Sequence, residues 1–317
     1  MENSMPIADA TCDHLPKPEL EEPKARVNVW LKSLSSLALY LVIGYFFFHK
    51  NWMLVLILTG VVIFHELGHF IAMKIFKYKD LGIFFIPLMG AYVSGKKQEV
   101  SQRQSAVILM GGPVPGIIVG IILHFLALQY ELRLLEMTAW ILIYLNLLNL
   151  LPVYPLDGGQ LLHRLFLDDT NIIGKIFVII SAGLLAYFAW SISFYPLLLF
   201  PVLMISRMIS DIQQERIMAK IEAEGIDLMK TYEEISAEEY WQIRNVAIKY
   251  YPQLKGVPPS PPHEISPKED QVITIIQNLL QRTIVQDLSL AGKLFILLIW
   301  MGCFAAPFLL NLPFRFF

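Results

Sequence analysis

The chain has 317 residues, of which 56% are hydrophobic and only 16% are charged, and its formal net charge is −2. Soluble domains carry about 25% charged residues, so this composition excludes an ordinary soluble domain and predicts a protein embedded in a lipid bilayer. The near-neutral charge gives no support to nucleic-acid binding, and the sequence has no glycine-rich loop of the kind that binds nucleotide phosphates.

The N-terminal segment, residues 1–28, is acidic and contains prolines, and it lacks the basic-then-apolar pattern of a signal peptide. We expect it to form a disordered cytoplasmic tail. Apolar segments of membrane-spanning or slightly shorter length follow it. They cover residues 29–48, 52–76, 105–130, 138–151, 172–190, 194–206 and 290–312, which predicts six to seven transmembrane helices.

Residues 80–99 interrupt this series of apolar helices. Pro87, Gly90 and Gly95 oppose helix formation, and the run from Gly90 to Ser94 has strand-like chemistry. We expect a small membrane-associated β-hairpin, since such backbone is tolerated at membrane depth only where it is buried in protein or lines a wet cavity. An ordinary interfacial loop is the alternative.

One long polar region precedes the last apolar segment. It carries a capping box, Ser236 with Glu239, that predicts the start of a helix, and a proline-rich linker over residues 256–267. The predicted fold class is therefore an all-α polytopic membrane protein with a small membrane-associated β-hairpin and a helical cytoplasmic region. The predicted domains after the tail are an intramembrane core over residues 29–207, the cytoplasmic helical region over 208–289 and a C-terminal transmembrane helix over 290–317.

The motif that carries chemistry is His65-Glu66-x-x-His69 in the second apolar segment. On a helix the two histidines lie one turn apart and face the same way, so both imidazoles can bind one metal ion. Glu66 lies beside them, where it can accept a proton from an activated water. Ionisable groups are costly in an apolar membrane helix and are functional by default, which argues against a chance match.

A catalytic zinc site takes three protein ligands and leaves a fourth position open. Asp157 is the candidate for the third ligand, because it lies among prolines and glycines at the end of the fourth apolar segment, on the membrane side of the motif. Histidines outside the motif fit this role less well. We expect His124 to pack or to form an interhelical hydrogen bond toward the far end of its helix. We expect His163 to lie at the surface, with a position next to the metal ligands as the alternative.

Two motifs together carry a resemblance to a known family: His65-Glu66-x-x-His69 and, two spans later, Asn149-x-x-Pro152-x-x-Pro155-Leu156-Asp157-Gly158. In spacing and order, residues 29–207 resemble the site-2 protease family of intramembrane zinc metalloproteases, peptidase family M50. The resemblance implies one zinc ion per chain, held by His65, His69 and Asp157. It also implies that Glu66 is the general base and that Asn149 positions the substrate carbonyl or stabilises the oxyanion.

The function implied by the resemblance is hydrolysis of peptide bonds in or near transmembrane segments of membrane-protein substrates, as in regulated intramembrane proteolysis. We expect the hairpin residues Gly90, Ala91 and Tyr92, together with Asn149, to bind the unwound substrate as an added strand. A non-proteolytic membrane zinc protein, such as another metal-dependent hydrolase or a metal transporter, is the alternative. The complete motif with Glu66 favours hydrolysis.

Basic residues indicate the orientation in the membrane. Clusters within residues 74–79 and 96–103 predict that these loops are cytoplasmic, because cytoplasmic loops carry an excess of lysine and arginine. We therefore expect a multi-pass protein of a bacterial cell membrane with its active site near the cytoplasmic face. The expected partners are a transmembrane protein substrate and the lipid bilayer, without nucleic acid.

Overall fold

The computed structural model describes residues 16–19, 28–87, 90–97, 101–167, 172–228, 230–260, 265–280 and 285–310. Within these ranges the chain forms eleven α-helices and one pair of β-strands. They are α1 Val29–Phe47, α2 Trp52–Ile75, β1 Lys79–Ile86, β2 Gly90–Lys96, α3 Gln102–Gly111, α4 Pro113–Tyr130, α5 Arg133–Asn149, α6 Asp157–Phe166, α7 Ile172–Ser191, α8 Leu199–Ala223, α9 Ala237–Tyr250, α10 Glu269–Leu279 and α11 Leu290–Leu309.

Six helical segments in the described ranges are long and apolar enough to cross a membrane. They are Val29–Phe47, Trp52–Ile75, Gln102–Tyr130, Ile172–Ser191, Tyr195–Ala223 and Leu290–Leu309. The expected fourth span corresponds to α5, which packs along α4 but has only 17 residues. At 1.5 Å per residue α5 is about 26 Å long, somewhat shorter than a typical hydrocarbon core of about 30 Å. The predicted class, a polytopic helical membrane protein with a small antiparallel sheet, is confirmed.

The expected third span is divided at Gly112 into α3 and α4, as its prolines predict, because Pro113 and Pro115 lack the N–H groups that a continuous helix needs. Two other segments differ from the sequence expectation. The helix α8 runs without interruption to Ala223, well beyond the expected start of the polar region at residue 208. The segment after the fourth span, for which the sequence predicted no helix, contains the amphipathic helix α6, whose Leu161 is fully buried.

β1 and β2 form the predicted hairpin for residues 80–99, as a two-stranded antiparallel sheet with Phe84 opposite Tyr92. β1 packs against α1, where the Phe85 N–H donates a hydrogen bond to Ser36 Oγ over 3.1 Å. β2 packs against α2. Within the described residues, the edge of β2 that faces away from β1 pairs with no other strand. The hairpin therefore has one edge covered by a helix and one edge available for a further strand.

The chain divides into two compact units, one made of Ala25–Ile209 with Ile284–Phe317 and the other of Met1–Lys24 with Ser210–Thr283. In the second unit the capping box of α9 is present as predicted. Its core holds a buried ion pair in which Arg244 Nε donates to Glu269 Oε1 over 2.8 Å. Burial alone would raise the pKa of the Glu269 carboxyl, but hydrogen bonds, chiefly from Arg244, outweigh burial and hold the pKa below its usual value.

The expected tail, residues 1–28, lies outside the described residues apart from 16–19 and 28. In the described piece, Lys17 Nζ donates hydrogen bonds to the backbone carbonyls of Tyr232, Glu233 and Ile235 over 2.8, 2.9 and 2.7 Å. This piece is thus held against the rest of its own unit by a charged group that donates to three carbonyl oxygens.

In the membrane unit, α2 and the α3–α4 break approach each other at backbone distance. A Cβ atom added to Gly68 would lie 2.0 Å from the carbonyl oxygen of Gly111 and 2.9 Å from the Cα of Gly112. Small residues permit such helix contacts in membranes, where van der Waals packing drives association. The glycines therefore set how near the metal-binding motif lies to the end of α3.

We expect Gly68→Ala to push α2 away from this break, because its new methyl group overlaps a backbone carbonyl. Overpacking of this kind costs about 1–3 kcal/mol or more. Gly60→Ala in the same helix is the matched control, since a Cβ there meets no atom within 4 Å. The thermal unfolding temperature of both variants in detergent measures the effect. An unfolding temperature for Gly68→Ala equal to that of Gly60→Ala would contradict the close approach.

Candidate metal centre

The helix α2 presents the motif residues toward the protein interior. His65, Glu66 and His69 are 4%, 5% and 8% exposed, although they lie in an otherwise apolar helix. Asn51 caps the start of this helix by accepting a hydrogen bond from the Leu54 N–H. Both imidazoles face the same side because they are separated by one helical turn.

Asp157 reaches the same point from another part of the chain, as the first residue of α6. Its Oδ2 atom lies 3.2 Å from His65 Nε2 and 3.3 Å from His69 Nε2, and the two Nε2 atoms are 3.1 Å apart. Ligand atoms bound at about 2.0–2.1 Å in a tetrahedral zinc site are separated by about 3.3 Å. The three atoms therefore form a triangle of the size of one face of such a tetrahedron.

Hydrogen bonds fix which ring nitrogen of each histidine carries a proton. His69 Nδ1 lies 2.7 Å from the Ile108 carbonyl oxygen, which can only accept, so this nitrogen is the donor. His65 Nδ1 lies 2.7 Å from Asn146 Oδ1, and the Asn146 amide nitrogen donates to the Leu142 carbonyl over 2.7 Å. In the neutral imidazoles both Nε2 atoms then expose lone pairs toward Asp157.

The donor set fits a zinc ion. Two Nε2 lone pairs and a carboxylate oxygen at 3.1–3.3 Å repel one another unless a cation lies between them. Asp157 Oδ2 is buried and has no hydrogen-bond partner of good geometry among the described residues. Imidazole nitrogen and carboxylate oxygen are ligands that zinc accepts in catalytic sites with one open position.

Asn146 and the Ile108 carbonyl were not identified from the sequence. Groups that accept the second N–H of a metal-binding histidine orient the ring and raise its basicity. Asn146 is fully buried, and a Cβ at Gly116 would lie 2.2 Å from its amide nitrogen. An asparagine inside an apolar helix was the available signal for its role, since polar groups there need partners. The Ile108 carbonyl had no sequence signal.

The other predicted site residues differ in position. Glu66 is buried and interacts electrostatically with the ligand residues, so it lies beside the triangle. Asn149 is the last residue of α5, one turn after Asn146. No hydrogen bond or ion pair among the described residues joins Asn149 or the hairpin residues Gly90, Ala91 and Tyr92 to the three ligand side chains.

The structure agrees with the expectation for His124 and contradicts the expected surface position of His163. His124 is buried and its ring contacts Trp140, with 5.1 Å between ring centroids, which agrees with the expected packing role. His163 is only 8% exposed, so the expectation of a surface position was wrong. It lies on the buried face of α6, which the sequence analysis did not identify, and its ring contacts Tyr154 and Phe177.

Part of this chain is similar to known proteins. The model of peptidase family M50 matches residues 53–132 and 129–168. A zinc metalloprotease of Methanocaldococcus jannaschii is 29% identical over 140 residues, which is 39% of this chain and 40% of the relative. Stage IV sporulation protein FB of Bacillus subtilis is 29% identical over 123 residues, which is 37% of this chain and 41% of the relative.

A solved structure, the site-2 protease from Methanocaldococcus jannaschii, matches with a TM-score of 0.41 and 21% identity, over 55% of this chain and 84% of that chain. The matched regions cover less than half the length of each of the two sequence relatives. The family match includes both histidines of the motif, Glu66, Asn149 and Asp157.

We expect Asn146→Leu to weaken zinc binding by about 10- to 100-fold, because His65 loses the acceptor that orients its ring. Asn149→Leu, one turn further along the same helix, is the matched control and should bind zinc normally. The zinc dissociation constant, measured by competition with a chromogenic chelator, distinguishes the two variants. Equal zinc affinities in both would show that the Asn146 contact does not orient the ligand.

Proposed function

Because the chain belongs to peptidase family M50, the site-2 protease family, we propose that it is an intramembrane zinc metalloprotease with one zinc ion per chain. Its proposed reaction is hydrolysis of peptide bonds in or near the transmembrane segments of membrane proteins, as in regulated intramembrane proteolysis. The observation that carries this proposal is the triangle of His65 Nε2, His69 Nε2 and Asp157 Oδ2, with the buried carboxylate of Glu66 beside it.

The proposed mechanism assigns a separate step to each side chain. His65, His69 and Asp157 would hold the zinc ion, which would supply Lewis-acid chemistry: polarisation of the substrate carbonyl and a lower pKa for the attacking water. Glu66 accepts the proton of the attacking water and donates it to the amine that leaves. Asn149 donates its amide N–H to the carbonyl oxygen as negative charge develops there.

Burial of these groups is part of the proposal. Glu66 is 5% exposed, and its side chain makes no hydrogen bond to other described residues, so its carboxylate remains available for the proton. Electrostatic interactions are stronger in such a site than in water, because the surrounding apolar helices exclude solvent. A metal transporter would also use charged ligands, but Glu66 completes the His-Glu-x-x-His motif of metal-dependent hydrolases, so its presence favours hydrolysis.

We expect Glu66→Gln to retain zinc and to lose peptide cleavage by a factor of about 100 or more, since it removes the proton acceptor but no ligand. Asp157→Ala should lose zinc as well as cleavage. The measurements are zinc content by elemental analysis and cleavage of a transmembrane substrate in liposomes. Cleavage by Glu66→Gln at a rate near that of the wild type would refute the role assigned to Glu66. Transport of zinc by the wild type without peptide hydrolysis would favour the metal transporter.

Binding of the substrate as an added strand is the second part of the proposal. In an antiparallel pair, residues alternate between those whose backbone groups face the partner strand and those whose groups face outward. The Phe85 N–H faces outward to Ser36, so Ala91, its partner on β2, also presents its N–H outward, on the open edge. Val93 does the same two residues later, whereas the Tyr92 N–H faces β1.

This alternation separates substrate binding from hairpin stability. Ala91→Pro removes an N–H from the open edge, where proline is tolerated, and is expected to raise the KM for a transmembrane substrate with zinc retained. Tyr92→Pro removes an N–H that faces β1, so it is expected to disrupt the hairpin itself. Hydrogen exchange of the hairpin amides, measured beside cleavage, distinguishes these effects. Normal cleavage by Ala91→Pro would exclude pairing of substrate with this edge.

The location proposed for the active site is the cytoplasmic side of the membrane. Lys97 follows β2, and Lys230 lies in the second unit. We expect cysteines introduced in place of either lysine to react with an impermeant maleimide only from the cytoplasmic side, because basic clusters mark that side. Labelling in intact cells and in inside-out vesicles measures this, and reaction of Lys97→Cys from outside intact cells would invert the topology.

A further inference from the structure

The turn between α5 and α6 delivers Asp157 to the metal centre, and its backbone leaves polar groups to be satisfied. Leu150 caps the end of α5 and is fully buried. The last carbonyls of a helix lack partners within the helix, and an unpaired polar group is costly inside a membrane. Four residues later the Tyr154 N–H, which would bond the Leu150 carbonyl in a continued helix, points elsewhere.

Two helices from outside the family-matched residues 53–168 satisfy these groups. Trp300 of α11 donates its indole N–H to the Leu150 carbonyl over 2.9 Å. Ser181 of α7, which is 2% exposed, accepts the Tyr154 N–H at its Oγ atom over 3.1 Å. The two bonds hold the turn at its start and at its middle.

Both bonded groups lie directly against the residues that follow Asp157. A Cβ added to Gly158 would lie 1.9 Å from the Leu150 carbonyl oxygen, and one added to Gly159 would lie 2.3 Å from the Tyr154 nitrogen. The first turn of α6 therefore rests on the two backbone atoms that Trp300 and Ser181 bind. A shift of either atom is transmitted to Asp157 because packed backbone leaves no free space to absorb it.

Apolar packing supports the same contact. Leu150 lies in one buried cluster with Ile117 of α4 and Cys303 of α11, and Trp300 packs against this cluster. Since Cys303 lies almost one turn after Trp300 on α11, the helix presents one continuous face to the turn. The contact of α11 thus combines a directed hydrogen bond with burial.

We propose that Trp300 and Ser181 are positioning residues for the Asp157 ligand, and that α11 and α7 complete the metal centre from outside the family-matched segment. This inference rests on the proposed function in so far as it requires zinc at the site. The two proposals are tested by different measurements. The positioning role of Trp300 and Ser181 predicts a change in zinc affinity, whereas the proposed function predicts peptide cleavage.

The test uses the full-length protein in detergent and measures zinc affinity by chelator competition. Trp300→Phe and Ser181→Ala are each expected to weaken zinc binding by about tenfold or more, the range typical of groups that orient a metal ligand. The visible spectrum of the cobalt-substituted protein should also change, since it reports the arrangement of the ligands. The matched control for Trp300→Phe is Trp190→Phe, at a position that is 69% exposed. The matched control for Ser181→Ala is Ser191→Ala, at an exposed position on α7, the helix that also carries Ser181.

A second substitution excludes a merely structural effect of losing the indole ring. Replacement of Trp300 by 3-benzothienylalanine keeps the shape of the ring system and puts a sulfur atom, which cannot donate a hydrogen bond, in place of the N–H. It should reproduce the loss of zinc affinity in a protein that remains folded. Ser181→Thr, which retains the hydroxyl, should restore affinity relative to Ser181→Ala. Ser181→Ala tests the proposal independently should both Trp300 variants fail to fold.

The outcomes separate this inference from the proposed function. Wild-type zinc affinity and an unchanged cobalt spectrum in folded Trp300 and Ser181 variants would overturn the positioning role, even if cleavage falls. Weaker zinc binding in these variants, with normal binding in the controls, supports it. A wild-type protein that binds zinc but cleaves no membrane substrate would refute the proposed function and leave the positioning role intact.

Discussion

The metal centre depends on the close backbone contact between α2 and the end of α3. The glycine positions leave no room for a side chain, since a Cβ on Gly112 would lie 2.5 Å from His69 Nε2. Because α3 ends here, the carbonyls of its last turn have no partners within the helix, and Ile108 is one of them. Its carbonyl accepts the His69 N–H, so the helix break that permits the contact also orients a ligand.

Polar groups inside a membrane need partners, and at this site the partners divide into two sets. The Nδ1 atoms of His65 and His69 are satisfied by protein acceptors, Asn146 and the Ile108 carbonyl. In the neutral imidazoles, the Nε2 atoms instead present lone pairs to one another and to Asp157 Oδ2. A cation relieves this repulsion, so the unsatisfied set defines a metal site while the satisfied set fixes its geometry.

The family-matched segment does not hold this geometry alone. The turn that carries Asp157 contacts Ser181 and Trp300, which lie after residue 168. The hairpin likewise depends on α1, which precedes the matched residues and accepts the Phe85 N–H through Ser36. In both places an element outside the matched segment satisfies a backbone polar group. At the turn these hydrogen bonds hold the backbone that precedes Asp157, and at the hairpin the hydrogen bond covers one edge and leaves the other edge open to a substrate.

The sequence by itself determined the membrane class, the helical motif with His65 and His69, and Asp157 as the candidate third ligand. These followed from composition, from the period of a helix and from the known ligand number of zinc, all of which are local or general. The hairpin was also identifiable, because proline and glycine punctuate the chain locally.

Only the tertiary structure decided which groups support these residues. The acceptor for His65 lies 81 positions away at Asn146, and the donor for the Leu150 carbonyl lies 150 positions away at Trp300. Neither distance leaves a periodic or spacing signal, because contacts between helices depend on how their faces meet. The orphan carbonyls of α3 and α5 required partners by elementary chemistry, but the packing of the helices chose which side chains supplied them.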